Sequence, residues 1–144
     1  MEQTEINFFY ETAFELEKEK EYKSWIDRVI YSEEKSTGVI NYIFVDDEYL
    51  HQMNVQYLDH DTLTDIISFD NSVDRVLHGD IYISIDRVKE NASEFNSDFI
   101  DELNRVIIHG ILHFIGYKDK SESDAGLMRQ KEDEKLKMFH VEQS

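Results

Sequence analysis

The most constraining feature of this chain is residues 98–116, DFIDELNRVIIHGILHFIG. Its second half is apolar nearly all round: Val106, Ile107, Ile108, Ile111, Leu112, Phe114 and Ile115 leave no polar stripe for water. A helix of that kind is a buried one, so other layers must surround it. Yet His109 and His113 lie inside the stretch. A spacing of four places them on one face, one turn apart. A buried imidazole needs a partner for each ring nitrogen.

The remaining sequence supplies the layers. Residues 6–10 form an aromatic and β-branched run that predicts a strand, with Phe8, Phe9 and Tyr10 in an inner position. Trp25, Ile26, Val29 and Ile30 mark one apolar stripe and predict a helix over about residues 18–35, ended by Gly38. VINYIFV at 39–45 predicts a strong strand. Asp46 is placed to cap a helix reaching about Tyr57. Short strands follow at 66–69 and 81–85, then helices over about 86–95, 97–115 and 121–138. The order β-α-β-α-β-β-α-α-α predicts an α+β fold, with one four-stranded mixed sheet packed by helices. The 144 residues, 40% hydrophobic and 12% aromatic, predict one domain over residues 1–144 with a real core.

Composition narrows the function classes. There is no cysteine, which excludes disulfide scaffolds and cysteine-based zinc fingers. The first residues lack the basic and apolar pattern of a secretory signal, and no apolar run is long enough to span a membrane. A cytoplasmic protein without membrane partners is the expectation. Fifteen Lys and Arg against 32 Asp and Glu give a net charge of −17. Such a chain repels nucleic acid at long range, so any RNA contact must rely on a few local cations or on a partner protein.

H-x-x-x-H alone is short and more often marks two core histidines bonded to nearby carbonyls or carboxylates. Two residues downstream change the balance. Gly116 is placed to turn the chain sharply at the helix end. Asp119 then comes three residues later and can fold back toward the imidazoles. His109, His113 and Asp119 would supply two nitrogens and one oxygen, leaving a fourth position open. That is the pattern of a catalytic rather than a structural zinc site. Gly110 stands where a zinc peptidase helix carries its glutamate base, so peptide hydrolysis by that route is disfavoured. Gly110 costs about 1 kcal/mol in a helix interior. That predicts the close approach of a substrate or a backbone. Thr64 and Ser68 read as capping or turn residues, and Asp65 equally as turn or cleft lining. Asp80 reads as structural. His51, His60, His78 and His140 read as surface or edge residues.

Residues 109–119, HGILHFIGYKD, resemble the H-G-x-L-H-L-x-G-Y-D-H motif of the YbeY family of bacterial single-strand endoribonucleases. Thr64 to Phe69 resemble its T-D-V-L-S-F segment, with Asn54 and Tyr57 fitting the helix before it. Gly79, Asp80 and Ile81 resemble its G-D-I strand. The three blocks stand in order and cover about residues 39–120. The resemblance implies a metal-dependent endoribonuclease, a hydrolase of RNA phosphodiester bonds that acts in 16S rRNA 3′-end maturation and ribosome quality control. It implies ribosomal RNA as partner, with ribosomal proteins beside it, and no small-molecule cofactor. One zinc ion per chain is implied, held by His109, His113 and Asp119, which act in catalysis through the metal. Other divalent metals suit the same donors.

Three departures stand out. Asp119 replaces the family's third histidine. Leu58 replaces an arginine associated with phosphate contact, leaving Arg105, Lys118 and Lys120 as nearby substitutes. Leu63 replaces a proline. Two other readings remain. One is a non-catalytic assembly factor that binds pre-rRNA or a ribosomal protein, which Leu58 favours. The other is a metal hydrolase of small or peptide substrates. Elemental analysis checks the ligand set: about one zinc per chain in the wild type is expected, and none in His109→Ala or Asp119→Ala.

Overall fold

The computed structural model describes residues 4–58 and 64–141. It contains four strands, β1 (Glu5–Tyr10), β2 (Ser36–Val45), β3 (Ile66–Asp70) and β4 (Val76–Ser84). Five helices accompany them: α1 (Glu19–Ser32), α2 (Asp47–Leu58), α3 (Ile85–Glu94), α4 (Phe99–Ile115) and α5 (Glu122–Val141). The strands form one mixed sheet in the order β1-β2-β4-β3. β1 and β4 both run parallel to β2, while β3 pairs antiparallel with β4. The expected α+β architecture and its mixed four-stranded sheet are therefore present.

Strand alternation sorts the apolar residues onto two faces. Ile40, Tyr42, Phe44, Ile81 and Ile83 point to the face covered by α1 and α4, where the main core lies. Val45 and Ile67 point to the opposite face, where Leu50 and Met53 of α2 cover them. The stripe from Trp25 to Ile30 is core, as expected, and Trp25 donates its indole N–H to the Lys135 carbonyl at 2.8 Å. Tyr42 lies fully buried beneath α4 and donates its hydroxyl to the Ile107 carbonyl at 2.9 Å. Among the described residues, no helix is long and apolar enough to cross a membrane.

Local signals behave as their chemistry dictates at several termini. The Asp46 carboxylate accepts the Tyr49 N–H at 2.8 Å, and the Ser84 hydroxyl accepts the Arg87 N–H at 3.1 Å, each capping a helix start. Ser121 does the same for α5 through Asp124.

Three expectations need correction. β1 is an edge strand rather than an inner one. Phe8 and Tyr10 stack on Tyr42 and Phe44 of its single neighbour, and Phe9 faces outward, 49% exposed. Gly38 does not end α1. The helix stops at Ser32, Glu34 takes a left-handed φ of 62°, and Gly38 lies inside β2 where the pairing with β4 shifts register. A Cβ at Gly38 would sit 2.3 Å from the His78 ring, whose Nδ1 accepts the Val39 N–H at 3.0 Å. His78 is thus built into the sheet. β4 also begins five residues earlier than expected, because His78, Gly79 and Asp80 hide the alternation that IYISI displays.

Gly38→Ala must push the His78 ring aside and break its bond to Val39. A loss of about 1–3 kcal/mol in urea unfolding is expected, with the slope unchanged.

Candidate metal centre

α4 is positioned by burial. Leu103, Ile107, Ile108, Ile111 and Leu112 are fully enclosed by the sheet and the neighbouring helices. The edge of α4 that carries His109 and His113 is the one left half-buried, with side chains 20% and 31% exposed. Their rings meet edge to face, with centroids 4.5 Å apart. Gly110 sits against Ile81 and Ile66, whose terminal carbons would lie 3.0 and 3.2 Å from an added Cβ. The close approach expected at Gly110 is therefore made by sheet side chains, not by a substrate or a backbone.

The helix ends as Gly116 predicts. Its φ is +126°, its N–H reaches the His113 carbonyl at 3.1 Å, and the Tyr117 N–H reaches Leu112 at 3.0 Å. This pair of bonds reverses the chain at a glycine. Tyr117 then donates its hydroxyl to Glu33 at 2.7 Å, which pins the returning loop to the end of α1. Asp119 arrives beside the imidazoles. Its Oδ2 lies 3.2 Å from His109 Nε2 and 3.4 Å from His113 Nε2, and the two Nε2 atoms are 3.0 Å apart.

These three separations suit a common metal. Tetrahedral ligands at about 2.0–2.1 Å from zinc stand roughly 3.3 Å from one another. Among the described residues, His109, His113 and Asp119 are the one group of three able to hold an ion. The tautomer supports the same arrangement. Glu132 Oε2 is 2.7 Å from His109 Nδ1, so Nδ1 donates and the lone pair of the neutral ring falls on Nε2, which faces His113 and Asp119.

Glu132 is the principal residue that sequence reasoning missed. It comes from α5 and is nearly fully buried. Arg105 spans it and its neighbour, with Nη1 2.7 Å from Glu132 Oε1 and Nη2 2.7 Å from Asp133 Oδ1. Burial pushes the Glu132 carboxyl up, but the bonds from His109 and Arg105 outweigh it and hold the group below the usual carboxylate range. Burial likewise opposes charge on His109. The Glu132 bond and the charges of Glu132, Asp119 and Asp65 overcome that and raise its pKa. A signal for Glu132 did exist. Met128, Glu132, Lys135 and Phe139 are all buried at spacings of four, three and four, so two charges occupy the middle of a core stripe.

The site opens into a cleft of about 260 Å³, whose lining includes Asp65, Glu102, Arg105, Asp119, Arg129 and Glu132. Burial raises the Asp65 carboxyl, with the His109 charge pulling the other way, and it also raises Glu102. Of the two readings of Asp65, cleft lining is the one the fold produces. Thr64 bonds the Ile66 carbonyl at 3.3 Å, and Asp80 accepts from Asn41 at 3.0 Å, both structural as expected. Lys118 and Lys120 are exposed and do not line the cleft. Leu58 is exposed at the end of α2. His60 and Leu63 lie outside the described residues, as does the side chain of His140.

The architecture and the site define a class: an α+β sandwich with a three-donor His-His-Asp centre beside an open cleft, able to hold one metal ion. The family model described as Endoribonuclease YbeY matches residues 7–140. The Endoribonuclease YbeY of Flavobacterium johnsoniae is 62% identical over 138 residues, covering 96% of this chain and 99% of that protein. That of Christiangramia forsetii is 59% identical over 143 residues, covering 99% and 100%. The solution structure of TM1509 from Thermotoga maritima superposes with a TM-score of 0.68 at 27% identity, over 96% of this chain and 91% of that one. The chain belongs to the endoribonuclease YbeY family.

Glu132→Gln keeps the shape but weakens the acceptor for His109 Nδ1–H. A loss of about 10–100-fold in zinc affinity is expected, measured by competition with a chromogenic chelator.

Proposed function

We propose that this chain is a metal-dependent endoribonuclease that cuts single-stranded ribosomal RNA. Its work would lie in 16S rRNA 3′-end maturation and ribosome quality control in the cytoplasm, as one domain and in contact with ribosomal proteins. The observation that carries the reading is the convergence of His109 Nε2, His113 Nε2 and Asp119 Oδ2 within 3.0–3.4 Å at a cleft, in a chain of this family. His109, His113 and Asp119 would hold the metal. Zinc is the best match to two imidazoles and a carboxylate in a small tetrahedral site. When bound, such an ion supplies a Lewis acid for a phosphodiester oxygen.

The protein's own residues set the conditions around it. Glu132 fixes the tautomer and orientation of His109, and Arg105 holds Glu132. Asp119 brings a negative charge where the family motif has a histidine, so the donor set is less positive than three neutral imidazoles. Burial raises the Asp65 and Glu102 carboxyls above their ordinary values. His109 and Asp119 line the cleft, where an RNA strand can enter.

Leu58 in place of an arginine favours a second reading, a pre-rRNA-binding assembly factor that does not cut. One experiment separates the two. A labelled single-stranded RNA is incubated with zinc-loaded protein, with His113→Ala and with chelator-treated protein. Cleavage by the wild type is expected, reduced about 100-fold or more in the other two, since a lost metal removes several kcal/mol of transition-state stabilisation. Binding without cleavage by the wild type would select the assembly factor instead.

A further inference from the structure

A phosphodiester needs cations, and this cleft has few. Asp65, Glu102, Asp119 and Glu132 line it against two guanidiniums, Arg105 and Arg129. Arg105 is occupied, since both of its terminal nitrogens are bonded to carboxylates on α5. Arg129 differs in every respect. It lies on α5 one turn before Glu132, is exposed, and its side chain makes no hydrogen bond or ion pair among the described residues. It acts on Glu102 through space, and burial already leaves that carboxyl more ready to hold a proton. The chain carries 32 acidic residues against 15 Lys and Arg, so carboxylates are plentiful partners for any cation. Arg129 nonetheless keeps its planar set of five donors free at the rim of the cleft, in the form that suits a phosphate.

Its position adds a direction. Arg129 borders the metal cleft and also a neighbouring groove of about 340 Å³ between α4 and α5, lined by Ser97, Asp101 and Leu136 among others. A strand leaving the metal centre along α5 passes this guanidinium before reaching the groove.

We infer that Arg129 is the phosphate-binding residue of the cleft. It grips a backbone phosphate of single-stranded RNA that flanks the one to be cut. The inference rests on the endoribonuclease reading.

The test measures binding of a fluorescent single-stranded RNA oligonucleotide to zinc-loaded protein on ice, by anisotropy at several salt concentrations. Arg129→Gln is expected to bind about tenfold more weakly. The slope of log affinity against log salt should fall by about 0.7, the value for one lost phosphate contact on a single strand. Arg129→Lys keeps the slope, because one positive charge remains. Lys118→Gln and Lys120→Gln match the wild type. Zinc content of Arg129→Gln stays at that of the wild type, showing that the centre beside it is intact. Unchanged affinity and slope in Arg129→Gln would overturn the assignment while leaving the RNA reading in place. So would a loss confined to the Lys118 or Lys120 variant, or a loss of zinc from Arg129→Gln. A wild type that neither binds nor cuts single-stranded RNA would overturn the RNA reading itself.

Discussion

The structure depends on burying one helix that is apolar almost all round. The second half of α4 has no broad face it can leave in water, so the sheet must lie beneath it and α1, α3 and α5 must pack around it. The edge that carries His109 and His113 stays half-buried and becomes the wall of a cleft. The same burial that enforces the fold strips water from the imidazoles. Dehydration disfavours the charged form of His109, and the surrounding carboxylates outweigh that and raise its pKa. The chemistry of the site is therefore a consequence of where the core ends.

α5 closes the arrangement with charge rather than with apolar area alone. Two of the four positions on its buried stripe are Glu132 and Lys135. Glu132 ties the helix to α4 through His109 and Arg105. Lys135 ties it to α1, with Nζ 2.7 Å from Glu33 and 2.9 Å from the Ser32 hydroxyl, at the end where helix carbonyls concentrate negative potential. Glu33 in turn receives Tyr117, so one carboxylate joins α1, α5 and the loop that delivers Asp119. Removing one partner from a buried pair typically costs about 3–5 kcal/mol, because the other is left charged and dry. The register of α5 against α4, and with it the orientation of His109, is held by these pairs.

The elements legible in the sequence were those whose pattern is local. The 3.6-residue spacing of Trp25, Ile26, Val29 and Ile30, the run VINYIFV and the apolar surround of His109 each require one kind of structure. Asp46, Ser121 and Gly116 mark ends by their own hydrogen bonding or backbone freedom. Gly38 misled because a glycine can break a helix or relieve a crowded strand. The His78 ring that crowds it lies forty residues away in sequence. The first half of β4 was hidden for a related reason: His78 and Asp80 are polar, and only pairing with β2 and β3 makes them strand residues.

By itself, the sequence determined that α4 is buried, that two imidazoles share one of its faces, and that Gly116 can return the chain toward them. Those are short-range facts, set by helix periodicity and by one residue's access to positive φ. Tertiary structure alone decided that Asp119 comes within 3.4 Å of both rings, that Glu132 rather than Glu134 supports His109, and that Arg105 is occupied while the Arg129 side chain has no partner among the described residues. Acids that share one charged helix, and two arginines on facing helices, are chemically alike. The angle at which α5 packs on α4 is what turns one of them inward and leaves another at the mouth of the cleft.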